Sequence, residues 1–295
     1  MQEKSRPAFV ALLTGAVGIA FAPIFVRLSE VGPSATAFYR VFLALPVLWL
    51  WRLQERHKQD APAQPAGPKD YRQLVVAGLL FAGDLALWHW SIQLTSVANA
   101  TLFANFAPIF VTLGARVLFS EKITTPFLLG MALALTGAAM VVGNSLNATT
   151  QHVAGDLVGI ATAVFYAGYM LSVKHLRRSF STATIMAWSG LSASPVLFLV
   201  ALASGERLVP MYASGWIVVI ALALISQVGG QSLIAYAFAH LPASFSSLSL
   251  LVQPAVAAFL AWIILAEPLG LFQAFGGAVI LCGIAVAGRA NRDGN

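Results

Sequence analysis

Charge is scarce in this chain. Seventeen Lys and Arg and 11 Asp and Glu make up 9% of 295 residues, against 59% hydrophobic ones, where a soluble domain carries about 25% charged residues. That scarcity excludes a solvated globular surface and points to a bilayer. Cysteine is nearly absent too: Cys282 stands alone in an apolar stretch, so no internal disulfide and no thiolate metal site can form. His57, His89, His152, His175 and His240 are scattered, and HExxH, GxSxG and glycine-rich phosphate-loop signatures are missing. The expectation is therefore no enzyme, no catalytic residue, no metal and no cofactor, with any transport driven by a gradient and not by ATP on this chain. The net charge of +6 could suggest nucleic acid, but the basic residues sit in short segments between apolar runs, so they read as a topology signal and no nucleic-acid partner is expected.

The apolar residues fall into runs of membrane-spanning length, about 20 residues each. They lie near 8–28, 34–52, 72–94, 97–119 and 124–143, then 156–174, 182–203, 213–239, 243–265 and 269–288. Turn-formers or charges separate them, among them Gly32-Pro33, Glu121-Lys122, Arg177-Arg178 and Glu267-Pro268. The first run is longer than the apolar part of a signal peptide, and Pro23 directly follows its small residues, so it reads as a retained span.

Ten spans with a cytoplasmic N-terminus sort the basic residues. Lys4, Arg6, Arg52, Arg56, Lys58, Lys69, Arg72, Lys122, Lys174, Arg177, Arg178, Arg289 and Arg292 fall on the inside, and Arg27 and Arg207 on the outside. The expected arrangement is an all-α integral membrane protein with both termini in the cytoplasm. Residues 53–70, with prolines at 62, 65 and 68, read as a flexible cytoplasmic linker. The segment 145–152 lacks Lys and Arg and is expected outside. The sequon Asn147-Ala148-Thr149 inside it carries no weight.

The halves resemble each other. Residues 81–143 match 227–289 at a constant offset of 146, which brings Pro108 onto Pro254, Glu121 onto Glu267, Gly130 onto Gly276 and Gly137 onto Gly283. Five spans per copy is an odd number, so the second copy enters the membrane from the opposite side. The expected units are two inverted five-helix repeats, 1–148 and 149–295, a geometry found chiefly in transporters.

The segment Thr95-Ser96-Val97-Ala98-Asn99-Ala100 precedes a helix with a central Pro108 that ends Phe119-Ser120-Glu121-Lys122. The second copy runs Leu241-Pro242-Ala243-Ser244, then Gln253-Pro254 and Leu265-Ala266-Glu267-Pro268. These paired segments resemble the EamA repeats of the drug/metabolite transporter superfamily over essentially the whole chain, and in general likeness the bacterial YddG-type amino-acid exporters. The resemblance implies ten helices, alternating access, a multi-pass place in the bacterial inner membrane and export of small metabolites.

Candidate binding residues follow from polar groups inside apolar spans. Asp84 is the only acid near the middle of a span, where a carboxylate costs roughly 2.5–3.5 kcal/mol on insertion scales unless paired or hydrated. It could bind an ammonium, exchange a proton or hydrogen-bond a neighbouring helix. Trp88 and Ser91 follow on the same helical face at i+4 and i+7, whereas His89 points elsewhere. Gln227 and Gln231, spaced i and i+4 beside Gly229-Gly230, offer two amides, and by the offset they fall on Phe81 and Leu85. Asn105 and Gln253 stand near Pro108 and Pro254, whose expected kinks make the two prolines candidate hinges. Tyr166 and Tyr169, with Phe165, add aromatic surface in the sixth span. Arg40, beside Tyr39, could snorkel outward or neutralise Asp84.

The resulting expectation is a monomeric exporter of amino acids, including aromatic and apolar ones, with protons as a candidate coupling ion. The alternative is a proton-coupled exporter of drugs or organic cations, and a membrane-embedded enzyme or lipid-binding scaffold stands well behind both.

Overall fold

The computed structural model describes residues 2–58, 62–95, 97–142 and 153–293, and among them there is no strand. The segment 143–152, with its sequon, lies outside the described residues. Hydrocarbon supplies no partner for backbone N–H and C=O, so a spanning chain must satisfy them within its own helices. Nine stretches among the described residues are long and apolar enough to cross a membrane: Ser5–Leu28, Pro33–Arg56, Ala100–Phe119, Thr125–Val142, Val153–Leu176, Thr182–Ala203, Ala213–Phe238, Ala243–Leu265 and Leu271–Ala290. The run 72–94 lies within a further unbroken helix of 27 residues, α5 (Pro68–Leu94), which is not one of these nine. Large apolar side chains such as Val117, Ile217 and Leu271 are 80%, 66% and 90% exposed, the outward-facing pattern of a protein dissolved in lipid.

Four of these stretches are two helices in series. Span one divides into α1 (Gln2–Ala20) and α2 (Ala22–Leu28), and span two into α3 (Pro33–Phe42) and α4 (Leu45–Arg56). Span four divides into α6 (Val97–Ala104) and α7 (Ala107–Phe119). The expected proline kinks are thus complete breaks. Proline has no N–H to give and its ring clashes with the preceding turn, so each new helix starts with proline in its first turn, where neither defect matters: Pro23, Pro46 and Pro108 occupy those places. The unbroken helices α8 (Thr125–Val142), α9 (Val153–Leu176) and α10 (Thr182–Ala203) follow. Span eight runs from α11 (Ala213–Ala221) through a π-helical segment, Leu222–Gln231, into α12 (Ser232–Phe238). Span nine divides into α13 (Ala243–Ser249) and α14 (Val252–Leu265), with Pro254 in the first turn of α14, and α15 (Leu271–Asp293) closes the chain.

Two compact units emerge, and each draws on both halves of the sequence. The first comprises Met1–Ala86 and Ser172–His240, the second Leu87–Leu171 and Leu241–Asn295. Two of their three boundaries fall inside α5 and α9, and the third between His240 and Leu241. In the first unit, α1 packs on the π-helical segment through glycine: a Cβ on Gly15 would meet the Gly230 carbonyl at 2.7 Å, and Ser226 donates to the Gly18 carbonyl at 2.8 Å. In the second, α8 packs on α15 through Gly130, Gly137, Gly276 and Gly283. A Cβ on Gly130 would lie 2.6 Å from the Gly283 carbonyl, and one on Gly137 2.6 Å from the Gly276 carbonyl. The two helices therefore run antiparallel. Such close approach replaces the hydrophobic drive that lipid removes.

Glutamates outside the helices tie distant segments together. Glu121 accepts from the N–H groups of Ala243 and Ser244 at 2.6 and 3.1 Å and from the Ser244 hydroxyl at 2.5 Å, capping α13. Glu206 accepts from the Ser34 and Ala35 N–H groups at 2.9 and 3.4 Å at the start of α3, and Glu30 from Met211 and Tyr212 at 2.9 and 3.1 Å ahead of α11. A carboxylate there satisfies orphan N–H donors and faces the positive end of the helix dipole. Ser120, at φ 55°, turns the chain out of α7 just before Glu121, and Ala266, at φ 52°, does so at the equivalent place before Glu267. Left-handed conformation costs a non-glycine residue about 1–2 kcal/mol.

The described part of the 53–70 segment is not a free tether. Gln64 accepts from Arg52, the Tyr71 hydroxyl donates to the Pro65 carbonyl, and Asp70 accepts from the N–H groups of Ala66 and Gly67.

Glu121→Ala is expected to lower stability in detergent by about 1–2 kcal/mol, the size of a lost helix cap, measured by thermal unfolding. Hydrogen bonds led by that from the Tyr212 N–H hold the Glu30 carboxyl below its usual 4.5. Its contribution is present above that value and fades as pH falls through the lowered one, so Glu30→Gln should lower Tm at neutral pH and match the wild type in strong acid. Gly137→Leu should abolish monodisperse folded protein on size-exclusion chromatography. Gly67→Ala, with nothing within 4 Å of its added Cβ, should be neutral.

Candidate functional site

In the first unit, Gln227, Phe81 and Asp84 lie around Arg40. This side chain stands in the last turn of α3 and does not simply extend to the membrane edge: its Nε donates to Oε1 of Gln227 at 3.1 Å, and its guanidinium lies 5.8 Å from the centre of the Phe81 ring. Asp84, three residues beyond Phe81 on α5, is half-buried and within reach of the Arg40 charge. The Arg40 guanidinium thus turns to the buried Gln227 amide and does not snorkel outward. Phe81 and Gln227 are the positions that the 146-residue offset equates, and Arg40 touches both.

Burial makes this cluster costly unless its members satisfy one another. Gln227 and Gln231 are 1% and 3% exposed, and a buried amide without partners forfeits several kcal/mol of hydration. The Gln227 oxygen spends itself on Arg40. The π-helical turn that carries both glutamines widens the helix by one residue per turn, a distortion frequent at functional sites, and it was not legible as an α-helical pattern. Gly229 and Gly230 lie in it. Together the groups present a cation, a carboxylate and neutral amides inside an apolar frame.

The second unit carries the other candidates. Asn105 lies in the turn between α6 and α7, and Gln253 in the first turn of α14, where the second break ends. Asn105 Nδ2 and Gln253 Nε2 are both buried without a hydrogen-bond partner. Each therefore offers a donor to a carbonyl, carboxylate or water. Pro108 is buried and Pro254 half-buried beside them. Trp88 and Tyr166 are half-buried, whereas Tyr169 is 1% exposed and fills the core.

One expected member drops out of the constellation. The Ser91 hydroxyl donates to the Gly155 carbonyl at 2.7 Å, and Thr95 donates to Asp156 at 2.9 Å, so this end of α5 is bolted to α9. The side chain of His89 lies outside the described ones. Among the described residues no group of three or more His, Cys, Asp and Glu could hold a metal ion. Arg40 is the residue that sequence reasoning left undecided, and its inward-facing partner, Gln227, was the available signal.

Comparison with known proteins agrees with this architecture. Over 208 residues the chain is 29% identical to a probable terminal-alkyne amino-acid exporter of Streptantibioticus cattleyicolor, covering 69% of this chain and 68% of that one. Over 219 residues it is 23% identical to the pseudopaline exporter of Pseudomonas aeruginosa, covering 74% and 75%. A solved crystal structure matches 98% of this chain and 99% of its own with a TM-score of 0.82 at 18% identity, a likeness of fold alone. The EamA-like transporter family matches residues 6–143 and again 153–289, both halves of the duplication, and the chain belongs to that family.

Proposed function

We propose that this membrane transporter exports amino acids, aromatic and apolar ones included, across the bacterial inner membrane as a monomer. The observation that carries the reading is the Arg40, Gln227 and Asp84 cluster: opposite charges with a buried amide, framed by Phe81, suit the two charged ends and the apolar body of an amino acid. Two relatives bear the names of exporters, one of an amino acid. The carrier is a binding protein and not a catalyst.

The proposed topology is ten spans in two inverted repeats, 1–148 and 149–295, with both termini cytoplasmic. Support comes from the antiparallel pair α8 and α15. The pairs Gly130 with Gly283 and Gly137 with Gly276 exchange into each other under the 146-residue offset, as a two-fold axis in the membrane plane requires. The glutamate caps support it as well, since each joins loops that this topology assigns to one side. Alternating access is the proposed mechanism, with the breaks at Pro108 and Pro254 as hinges and Asp84, Trp88, Asn105, Tyr166, Gln227, Gln231 and Gln253 as substrate contacts; Tyr169, packed in the core, is not among them.

A second reading, proton-coupled export of drugs or organic cations, draws on the half-buried Asp84 and Trp88 of α5, because aromatic faces attract cations. Proteoliposomes offered radiolabelled amino acids, with and without a pH gradient, separate the two. Uptake of apolar amino acids above empty vesicles supports the first, and uptake of organic cations alone replaces it with the second. Arg40→Gln and Asp84→Asn should each slow amino-acid transport about ten- to a hundredfold, the loss of one charge-assisted contact of about 1.5–3 kcal/mol. Unchanged pH dependence in an active Asp84→Asn protein would remove Asp84 as proton carrier.

A further inference from the structure

A second buried guanidinium lies in the first unit, away from the cluster just described. Arg52, near the end of α4, is 6% exposed. Its guanidinium carbon stands 4.8 Å from the centre of the Trp49 ring and 5.7 Å from that of Trp188 on α10. Trp188 meets Trp49 and Tyr71 edge-on, at 5.3 and 5.0 Å between ring centres. Gln64 closes the group by accepting from Arg52 Nη2 at 3.0 Å while donating to the Pro62 carbonyl at 3.0 Å.

Among the described residues no carboxylate pairs with Arg52. Among the described residues, the ionisable groups that act on Arg52 are Arg56 and Tyr71. Glu55, the acid nearest in sequence, acts instead on Arg177. A buried cation without a counterion is among the most expensive arrangements in a protein. Two donors are also left over: Arg52 Nε and Trp188 Nε1 are both buried without a partner. Aromatic faces soften the cost of the charge, but they offer nothing to an N–H. Two orphaned donors beside an uncompensated guanidinium describe the complement of an oxyanion.

We propose that the Arg52 and Trp188 cage binds a phosphate-type oxyanion, one oxygen of which accepts from Arg52 Nε and Trp188 Nε1. The anion completes the charge of Arg52 and clasps the 62–66 segment, through Gln64, against α4 and α10. Its source is either a soluble phosphate or the phosphodiester of an anionic lipid, for tryptophan and arginine at the end of a span lie at headgroup depth.

The test uses the full chain in nanodiscs, following Tm and tryptophan fluorescence. Inorganic phosphate is titrated in phosphatidylcholine discs, and phosphatidylglycerol is substituted for phosphatidylcholine in a parallel series. Saturable stabilisation by phosphate assigns a soluble anion, and stabilisation by phosphatidylglycerol alone assigns a lipid. Trp188→Phe keeps the ring and removes the N–H, so it should fold and bind about tenfold more weakly, the loss of one charge-assisted hydrogen bond; Arg52→Gln should abolish the effect. No response in the wild type to either probe, or an equal response in Trp188→Phe, would overturn the proposal and leave water as the partner of both donors.

Discussion

Hydrocarbon cannot hydrogen-bond, and that single property of the solvent governs this structure. Every carbonyl that a proline releases and every side-chain amide within a span must find its partner inside the protein. The chain meets the demand locally. At the breaks it tightens the backbone, Phe106 N–H reaching the Phe103 carbonyl and Leu251 N–H the Leu248 carbonyl, each at 3.1 Å. At helix starts it imports a carboxylate from far along the sequence. Where helices cross, glycine lets backbone touch backbone.

Against this background the exceptions stand out. Buried side-chain atoms without partners include Asn105 and Gln253 beside the two proline breaks and Arg52 with Trp188 in the aromatic cage, along with Glu55, Arg177 and Ser232 elsewhere. An orphaned donor in a bilayer protein costs too much to be incidental. Unpaired donors of this kind are the places open to a further partner, whether cargo, water or a bound ion.

Much of this was legible in the sequence because lipid enforces a coarse grammar. Long apolar runs and the repeated glycines each follow from one physical rule applied over many residues. The finer features resisted for equally physical reasons. Glu121 and Glu267 were visible as matched residues, but nothing local said that Glu121 would cap a helix more than a hundred residues away. The π-helical turn around Gln227 leaves no mark on composition. Proline predicts a bend and not its extent, so kinks became breaks. Ser91 had the right face for a ligand and gave its hydroxyl to Gly155, a choice set by the approach of α9. The Arg52 cage joins α4, the 62–66 segment and α10, which no spacing within one helix could reveal.

Two of the three boundaries of the compact units fall inside α5 and α9, so the duplication and the packing cut the chain along different lines. Neither half of the sequence contains a whole unit, because each unit takes helices from both. Either half expressed alone would hold two half-bodies and no complete one, so its packing faces would stay uncovered unless a second copy supplied the missing helices.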